Sequence, residues 1–425
     1  LNNQLIVGWM KKLEVGIVIL LLMTSEPLPF PRFVENIISI ISYGFLFLII
    51  TGRWKRLIYI ATAEIYLLIL VSVAIASIFW SANLSNTAYQ ARLLLRPTLF
   101  GVYLAMQYTP REQIRLLSWT VGIIMILSLA SSLLFPSYGI QEINGTLAWR
   151  GIYTHKQLFG RQMGFAVSLF IINIFDKRSN RWVAIIGLSL GFALILLSKS
   201  KSGLIIFLFS LVIIPIYNFN KLRNIRLLLF LTLLLIFSIV SFLVTVNFEY
   251  IVVDFLGKDI ELNGRLPLWT LAIEKGLEQP WLGYGYRGFW SSDVSDSVLY
   301  NSWAVLEEEF RNRTIEFHSH NGFIDLFLEL GLIGILIFLL NFFFLIKRVV
   351  TLILTTRAIE YFYMLQVAGI CWITNISESR LILTSNSTLW IIYVTTVLSS
   401  AIEYRRVKLN HCLNASKEAL KIAAK

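Results

Sequence analysis

The 425-residue chain is poor in charge, in cysteine and in histidine. Only 15% of its residues are charged, against 57% hydrophobic. A water-soluble fold of that composition would expose large apolar patches and aggregate. Its two cysteines, Cys371 and Cys412, fall in an expected membrane span and in the C-terminal tail, so no disulfide framework is expected. No Cys/His cluster has structural zinc spacing, and the four histidines supply no third ligand at fixed spacing beside His318 and His320. A net charge of +12 would suggest nucleic acid if it formed a soluble basic face, but there is none. Low-complexity linkers, a soluble domain and convincing internal repeats are also missing. The first apolar run ends in Ser25-Glu26-Pro27-Leu28-Pro29, which reads as a turn and not as a cleavage site.

What is present is long apolar runs. About 20 apolar residues cross a bilayer core. The chain reads as an all-α polytopic membrane protein with about twelve spans, near 13–31, 33–51, 57–80, 93–108, 115–135, 158–175, 182–198, 202–219, 225–247, 321–346, 359–376 and 386–402. Residues 1–247 form a first membrane domain, 248–319 a large extracytoplasmic loop with short helices, 320–404 a second membrane domain, and 405–425 a basic cytoplasmic tail. Basic residues set the orientation. With the N-terminus inside, the short cytoplasmic loops hold Arg53, Lys55, Arg56, Arg111, Arg115, Lys177, Arg178, Arg181, Lys221, Arg223, Arg226, Lys347, Arg348 and Arg357.

Other cations face outward against that bias: Arg92, Arg96, Arg150, Lys156, Arg161, Lys199, Lys201, Arg265, Lys275, Arg287, Arg311, Arg313 and Arg380. Single ones can snorkel to headgroups. Together they suit an anionic ligand arriving along the bilayer, such as a lipid diphosphate, because the planar guanidinium makes paired bonds to phosphate.

The extracytoplasmic loop, a polar island at 248–319, carries the densest pattern. Residues 265–279 can form a helix that ends near Gly276 or before Pro280, and Gly283-x-Gly285 then gives a tight turn. Arg265 and Arg287 flank this element and can grip one ligand; pairing with Glu261, Glu274 or Asp293 is the structural alternative. The island closes on His318-Ser319-His320-Asn321-Gly322, where His320 can take a proton from a sugar hydroxyl or simply serve the helix start. Upstream, Arg150, His155, Lys156 and Arg161 cluster at a helix start suited to an anion. Ser198-x-x-Lys201 matches a nucleophile motif only formally, because its partner motifs are missing; a hydrogen-bonding turn is expected there. Among outer acids, Glu316, Asp325, Glu329 and Glu378 stand out. Glu329 lies about two turns into an expected span and needs a partner or a wet cavity, and Glu378 can pair with Arg380 or with a cation from another segment.

The ordered set of motifs resembles the O-antigen ligase and polymerase superfamily, most closely its exopolysaccharide polymerase branch. It comprises Arg150-Gly151-x-Tyr153-Thr154-His155-Lys156-x-x-x-Gly160, Ser198-x-Ser200-x-Ser202-Gly203, Asn263-Gly264-Arg265-x-x-x-Trp269, Pro280-x-x-Gly283-x-Gly285, His320-Asn321-Gly322, Glu329-x-Gly331-x-x-Gly334 and Asn375-x-x-Glu378. Gln157 departs from the branch, which often has Asn there. The resemblance implies a glycosyltransferase of the cytoplasmic (inner) membrane, independent of metal and without cofactor, that joins undecaprenyl-diphosphate-linked oligosaccharides at the outer face. His320 and Arg265 would be catalytic. Arg287, Arg150, Lys156 and Arg161 would hold the diphosphate, with Asn321, His318, Glu329 and Glu378 in support. Glu329 or Glu316 could replace His320 as the base. Partners would be lipid-linked donor and acceptor, with a chain-length regulator and a flippase. A ligase to another acceptor shares the donor. A transporter of an anionic lipid-linked solute is the rival from another class, and would predict internal repeats and broken helices near the midplane.

Overall fold

Several of the described helices start at capping side chains. In the computed structural model, which describes residues 2–28, 32–143, 145–212, 265–306, 317–378, 382–385 and 387–423, Thr109 and Glu112 form a capping box before α5, with Pro110 in its first turn. Asn180, Ser200 and Asn321 likewise accept backbone N–H bonds at the starts of α8, α9 and α12. The helices run in order as α1 (Asn2–Met23), α2 (Arg32–Ala61), α3 (Ile65–Ala76), α4 (Leu84–Gln107), α5 (Pro110–Leu134) and the short α6 (Pro136–Gly139). After a hairpin of β1 (Ile140–Ile143) and β2 (Thr146–Trp149) come α7 (Lys156–Phe175), α8 (Arg181–Ser198) and α9 (Lys201–Leu211). The polar loop contributes α10 (Arg265–Gly276) and α11 (Asp296–Tyr300). The chain closes with α12 (Gly322–Thr356), α13 (Ile359–Ser377) and α14 (Thr388–Ala423).

Four described helices, α5, α7, α8 and α12, are long and apolar enough to cross a membrane, so the protein is a multi-pass membrane protein. The expected span 225–247, the end of 202–219, Asn263-Gly264, Glu261, Glu316 and Arg380 lie outside the described residues; each other expected span overlaps a helix. Two details change. The span expected at 57–80 is divided, because α2 runs on to Ala61 and the chain turns at Thr62–Glu64 before α3. The helical fold also includes the antiparallel hairpin, with Ile140 opposite Trp149 and Ile143 opposite Thr146.

Close helix contact follows small residues. On α7, a Cβ at Gly160 would fall 2.1 Å from the Ser200 Cβ, and one at Gly203 on α9 would fall 2.4 Å from the Gly160 carbonyl oxygen. On α4, Gly101 meets Val394 of α14, and Trp390 donates to the Thr98 hydroxyl at 3.0 Å. A second, smaller core sits in the polar loop, where Leu268, Ala272, Phe289, Trp290, Val298 and Phe317 are buried together.

The junction between loop and bundle is a break in α12. Gly331 has φ 64° and ψ −163°, outside helical space and open essentially to glycine alone. The break frees backbone groups that a bilayer cannot satisfy. The Pro280–Gly285 turn satisfies them. Tyr284 and Gly285 N–H donate to the Leu328 and Glu329 carbonyls at 2.8 and 2.9 Å, while Leu332 and Ile333 N–H donate to the Pro280 and Trp281 carbonyls at 2.7 and 3.2 Å. The corner between α3 and α4 holds the other side of this turn: Trp80 Nε1 donates to Leu282 O (3.0 Å), Thr87 to Tyr286 O (2.7 Å) and Asn86 to Arg287 O (2.7 Å).

Candidate functional site

The site is built around Ser319. Its N–H donates to the buried Asp325 carboxylate at 3.1 Å, and its carbonyl accepts from Trp269 Nε1 at 2.7 Å. Asp325 also accepts from Trp290 Nε1 at 2.8 Å. Ser319 is thus gripped from α10 and from the first turn of α12, with the loop's Trp290 holding the Asp325 carboxylate. His320 follows directly. Its backbone is left-handed, φ 58°, and its N–H donates to His318 Nδ1 at 3.2 Å. The two imidazole ring centres stand 4.2 Å apart. The helix cap here is Asn321, whose Oδ1 accepts from Phe323 and Ile324 N–H at 3.0 and 3.3 Å.

Five non-glycine residues among those described have positive φ: Lys199, Arg287, His320, Arg357 and Leu383. Lys199 and Arg357 end helices, a common place for this conformation. The other three lie on the loop face of the bundle. Arg287 (φ 55°) follows Tyr286, whose buried hydroxyl donates to the Leu383 carbonyl. Backbone strain outside helix ends concentrates at functional sites.

Arg287 Nε lies 3.8 Å from Glu329 Oε1, both groups nearly buried. Glu329 therefore has a cation partner, and it sits just before the α12 break, not within an unbroken span. Arg265 is the first residue of α10, half-buried, one turn from Trp269 and so from the Ser319 grip. Arg161 lies on α7, buried, with Nη1 3.5 Å from Glu378 Oε2. Next to it, Gln162 donates to Glu26 Oε1 at 2.8 Å. Glu378 follows the end of α13, and Asn375 on that last turn packs against Gly322, so the Arg161–Glu378 pair adjoins the His320 corner.

The remaining two cations are held by the hairpin. Arg150 donates from Nε to Tyr138 O at 2.6 Å and stacks over the Tyr138 ring at 5.0 Å. Burial pushes the Tyr138 hydroxyl pKa up, against the pull of Arg150. Lys156 opens α7, its N–H bonded to Gln141 at 3.2 Å. His155 caps the same helix, accepting from Gln157 N–H. Gln157 Oε1 accepts from the Ser200 and Ser202 hydroxyls at 2.9 and 3.3 Å, which gives this departure from the branch a structural role and makes Ser198–Gly203 the hydrogen-bonding turn expected. The geometry thus sets His318, His320, Asn321 and Arg265 at the Ser319 grip, Arg287 and Glu329 at the α12 break, Arg161 and Glu378 at the contact of α7 with the end of α13, and Arg150 and Lys156 beside the hairpin.

Sequence reading missed Asp325's grip on Ser319 and the part of Glu26. Asp325 was visible as an outer acid in the first helical turn, four residues past the Asn321 cap. Glu26 was hidden in what reads as a turn.

Residues 186–339 match the family described as O-Antigen ligase. That stretch holds His318, His320, Asn321, Arg265, Arg287 and Glu329, and leaves out Arg150, Lys156, Arg161 and Glu378. The likeness is to the O-antigen ligase superfamily, on its exopolysaccharide side. A curated relative, the exopolysaccharide production protein ExoQ of Rhizobium meliloti (strain 1021), is 24% identical over 311 residues, covering 71% of this chain and 68% of the relative.

Proposed function

We propose that this protein is a twelve-span glycosyltransferase of the inner membrane that polymerises undecaprenyl-diphosphate-linked oligosaccharide repeats at its outer face, by metal-independent transfer. The observation that carries this reading is the double backbone grip on Ser319. It holds His320 in a strained conformation at the start of α12, beside α10, which Arg265 opens, with Arg287 two residues past the turn that locks α12.

The chemistry follows from those groups. An acceptor sugar hydroxyl attacks the anomeric carbon of the donor. The bond from that carbon to the diphosphate oxygen breaks as the new glycosidic bond forms. His320 takes the hydroxyl proton. Arg265 and Arg287 stabilise the negative charge that gathers on the departing diphosphate. Arg161, Arg150 and Lys156 extend this basic surface, and Glu329 and Glu378 hold Arg287 and Arg161 in place. The driving force resides in the donor's phosphoester bond.

The test is the state of the lipid-linked glycans in cells. Cells lacking the protein accumulate single lipid-linked repeats and make no polymer; His320→Ala and Arg265→Ala reproduce this with normal membrane levels. Normal polymer from either variant defeats the mechanism. Full-length lipid-linked chains that never reach a final acceptor make the protein a ligase instead, and unchanged lipid-linked pools indicate transport.

A further inference from the structure

At the start of α12 the chain places a glycine where another helix presses in. A Cβ on Gly322 would stand 2.0 Å from Asn375 Oδ1 and 2.9 Å from its Nδ2, so the amide of Asn375 approaches this backbone closely, oxygen foremost. Gly322 is two residues from His320, and Asn375 is on the last turn of α13, three residues before Glu378. Asn375 is 1% exposed. Yet neither Oδ1 nor Nδ2 has a hydrogen-bond partner among the described residues.

A buried amide with both ends unmet is costly, on the order of 1–3 kcal/mol for each group. A leucine of similar volume would fill the same space without that cost. The amide is therefore out of place as packing, and it sits at a helix N-terminus beside the proposed base. Its chemistry selects what could complete it. An amide presents one donor edge and one acceptor edge side by side. A phosphate or diphosphate offers acceptors only; it would meet Nδ2 and repel Oδ1. A sugar hydroxyl, or an acetamido substituent, offers a donor and an acceptor together. The charged groups Arg161 and Glu378 lie one turn further along, so the neutral and the ionic parts of a glycolipid would be read at adjacent places.

We infer that Asn375 is a glycan-recognition residue: its amide hydrogen-bonds a neutral sugar substituent and orients the glycan beside His320. This rests on the glycosyltransferase reading above and adds to it a residue that reads sugar and not phosphate.

The experiment uses the full chain in lipid nanodiscs and two probes: lipid-linked glycan extracted from cells lacking the protein, and undecaprenyl diphosphate alone. The variants are Asn375→Leu and Asn375→Asp, with Gln366→Leu as the comparison. Gln366, also on α13, is equally buried and its amide is likewise unpartnered. Asn375→Leu is expected to melt at or above the wild-type temperature, to bind undecaprenyl diphosphate within about two-fold of wild type, and to bind the glycolipid about ten-fold or more weakly, as the loss of two hydrogen bonds dictates. Gln366→Leu changes neither affinity. If Asn375→Leu does not fold, Asn375→Asp, which keeps the shape and replaces the donor, decides by the same criterion. Wild-type glycolipid affinity in a folded Asn375 variant overturns this inference and leaves the glycosyltransferase reading standing. A wild-type protein that binds the glycolipid no better than undecaprenyl diphosphate overturns both.

Discussion

Two arginine–glutamate pairs lie at opposite ends of α12. Arg287 meets Glu329 near its start, and Arg348 on the helix meets Glu64 near its end. Arg348 lies nineteen positions beyond Glu329, about 28 Å at helical rise, close to the thickness of a bilayer core. The second pair is shut. Arg348 Nη1 is in direct contact with Glu64 Oε2, and its Nε donates to Phe344 O at 3.0 Å. Glu64 Oε1 accepts from Asn341, and Asn341 accepts in turn from the Tyr393 hydroxyl at 2.6 Å. The first pair stands at 3.8 Å, well beyond the roughly 2.7–2.9 Å of a charge-assisted hydrogen bond. The same two residue types therefore do different work. One pair ties the α2–α3 turn, α12 and α14 together. The other joins the polar loop to the start of α12 through a longer ion pair.

That contrast is most severely tested at the shut end. Arg348→Ala leaves the buried Glu64 carboxylate without its cation and is expected to cost about 3–5 kcal/mol, read as a drop in the melting temperature of the detergent-solubilised protein. The double variant Glu64→Leu, Arg348→Met recovers most of the loss. If the single variant melts like wild type, the pair is not structural.

At the other end the effect is on activity. Arg287→Ala is expected to lower polymer formation about 10²–10³-fold, while breaking this longer but nearly buried pair costs about 3 kcal/mol of stability, the low end for a buried ion pair. Quantified polymer alongside a melting curve separates the two; polymer lowered no further than by Arg348→Ala would remove the distinction.

The junction between the two ends gives a smaller effect. Gly331→Ala would place a Cβ 2.3 Å from the Trp281 carbonyl in a backbone conformation costing roughly 1–3 kcal/mol for any other residue. Faster proteolysis within 280–291 in this variant is the expected sign that the turn has left the helix.

The smallest effect is a half-buried pair that belongs to neither end, Arg111 on α5 with Asp176 in the turn after α7, 2.5 Å apart. Burial works against the Asp176 charge. Hydrogen bonds from Arg111, the Arg178 N–H and Ser179 outweigh it and hold the carboxyl below its ordinary value. A lowered carboxyl pKa gives stability that is present above the unfolded value, near 3.9, and is lost as the pH falls through the folded one. Asp176→Asn should cost at most about 0.5–1 kcal/mol at pH 7, and the two melting curves should converge in the most acid conditions. A difference that grows on acidification contradicts the assignment.

Much of the site was legible. Arg265, Arg287, His320 and Glu329 carry polarity where the composition forbids it, and Gly276 and Pro280 mark where α10 ends. What escaped was partnership across distance. Gly283, Gly285 and Gly331 each read alone as a turn or a packing residue; that they are two sides of one hydrogen-bonded joint depends on contacts some 46 residues apart. Glu64 vanished inside an apolar run, and Arg348 read as one more topological cation, because periodicity does not report which buried charge will find which. The hairpin was a plainer omission: Asn144-Gly145 between Ile140–Ile143 and Thr146–Trp149 is a strong local turn signal, overlooked amid long helical runs.

The α12 joint also bears on how such a protein can vary. Four backbone hydrogen bonds fasten 280–285 to 328–333, and backbone bonds do not depend on which side chains lie between. The chain from Tyr286 to Phe327 is thereby a closed excursion, anchored at both ends to the same helix. Exposed residues past Ser292, such as Ser297, Tyr300 and Asn301, can be exchanged without shifting the register of the joint or the Ser319 grip. The loop surface can then change while the helices, and the pair shut at the far end of α12, stay as they are.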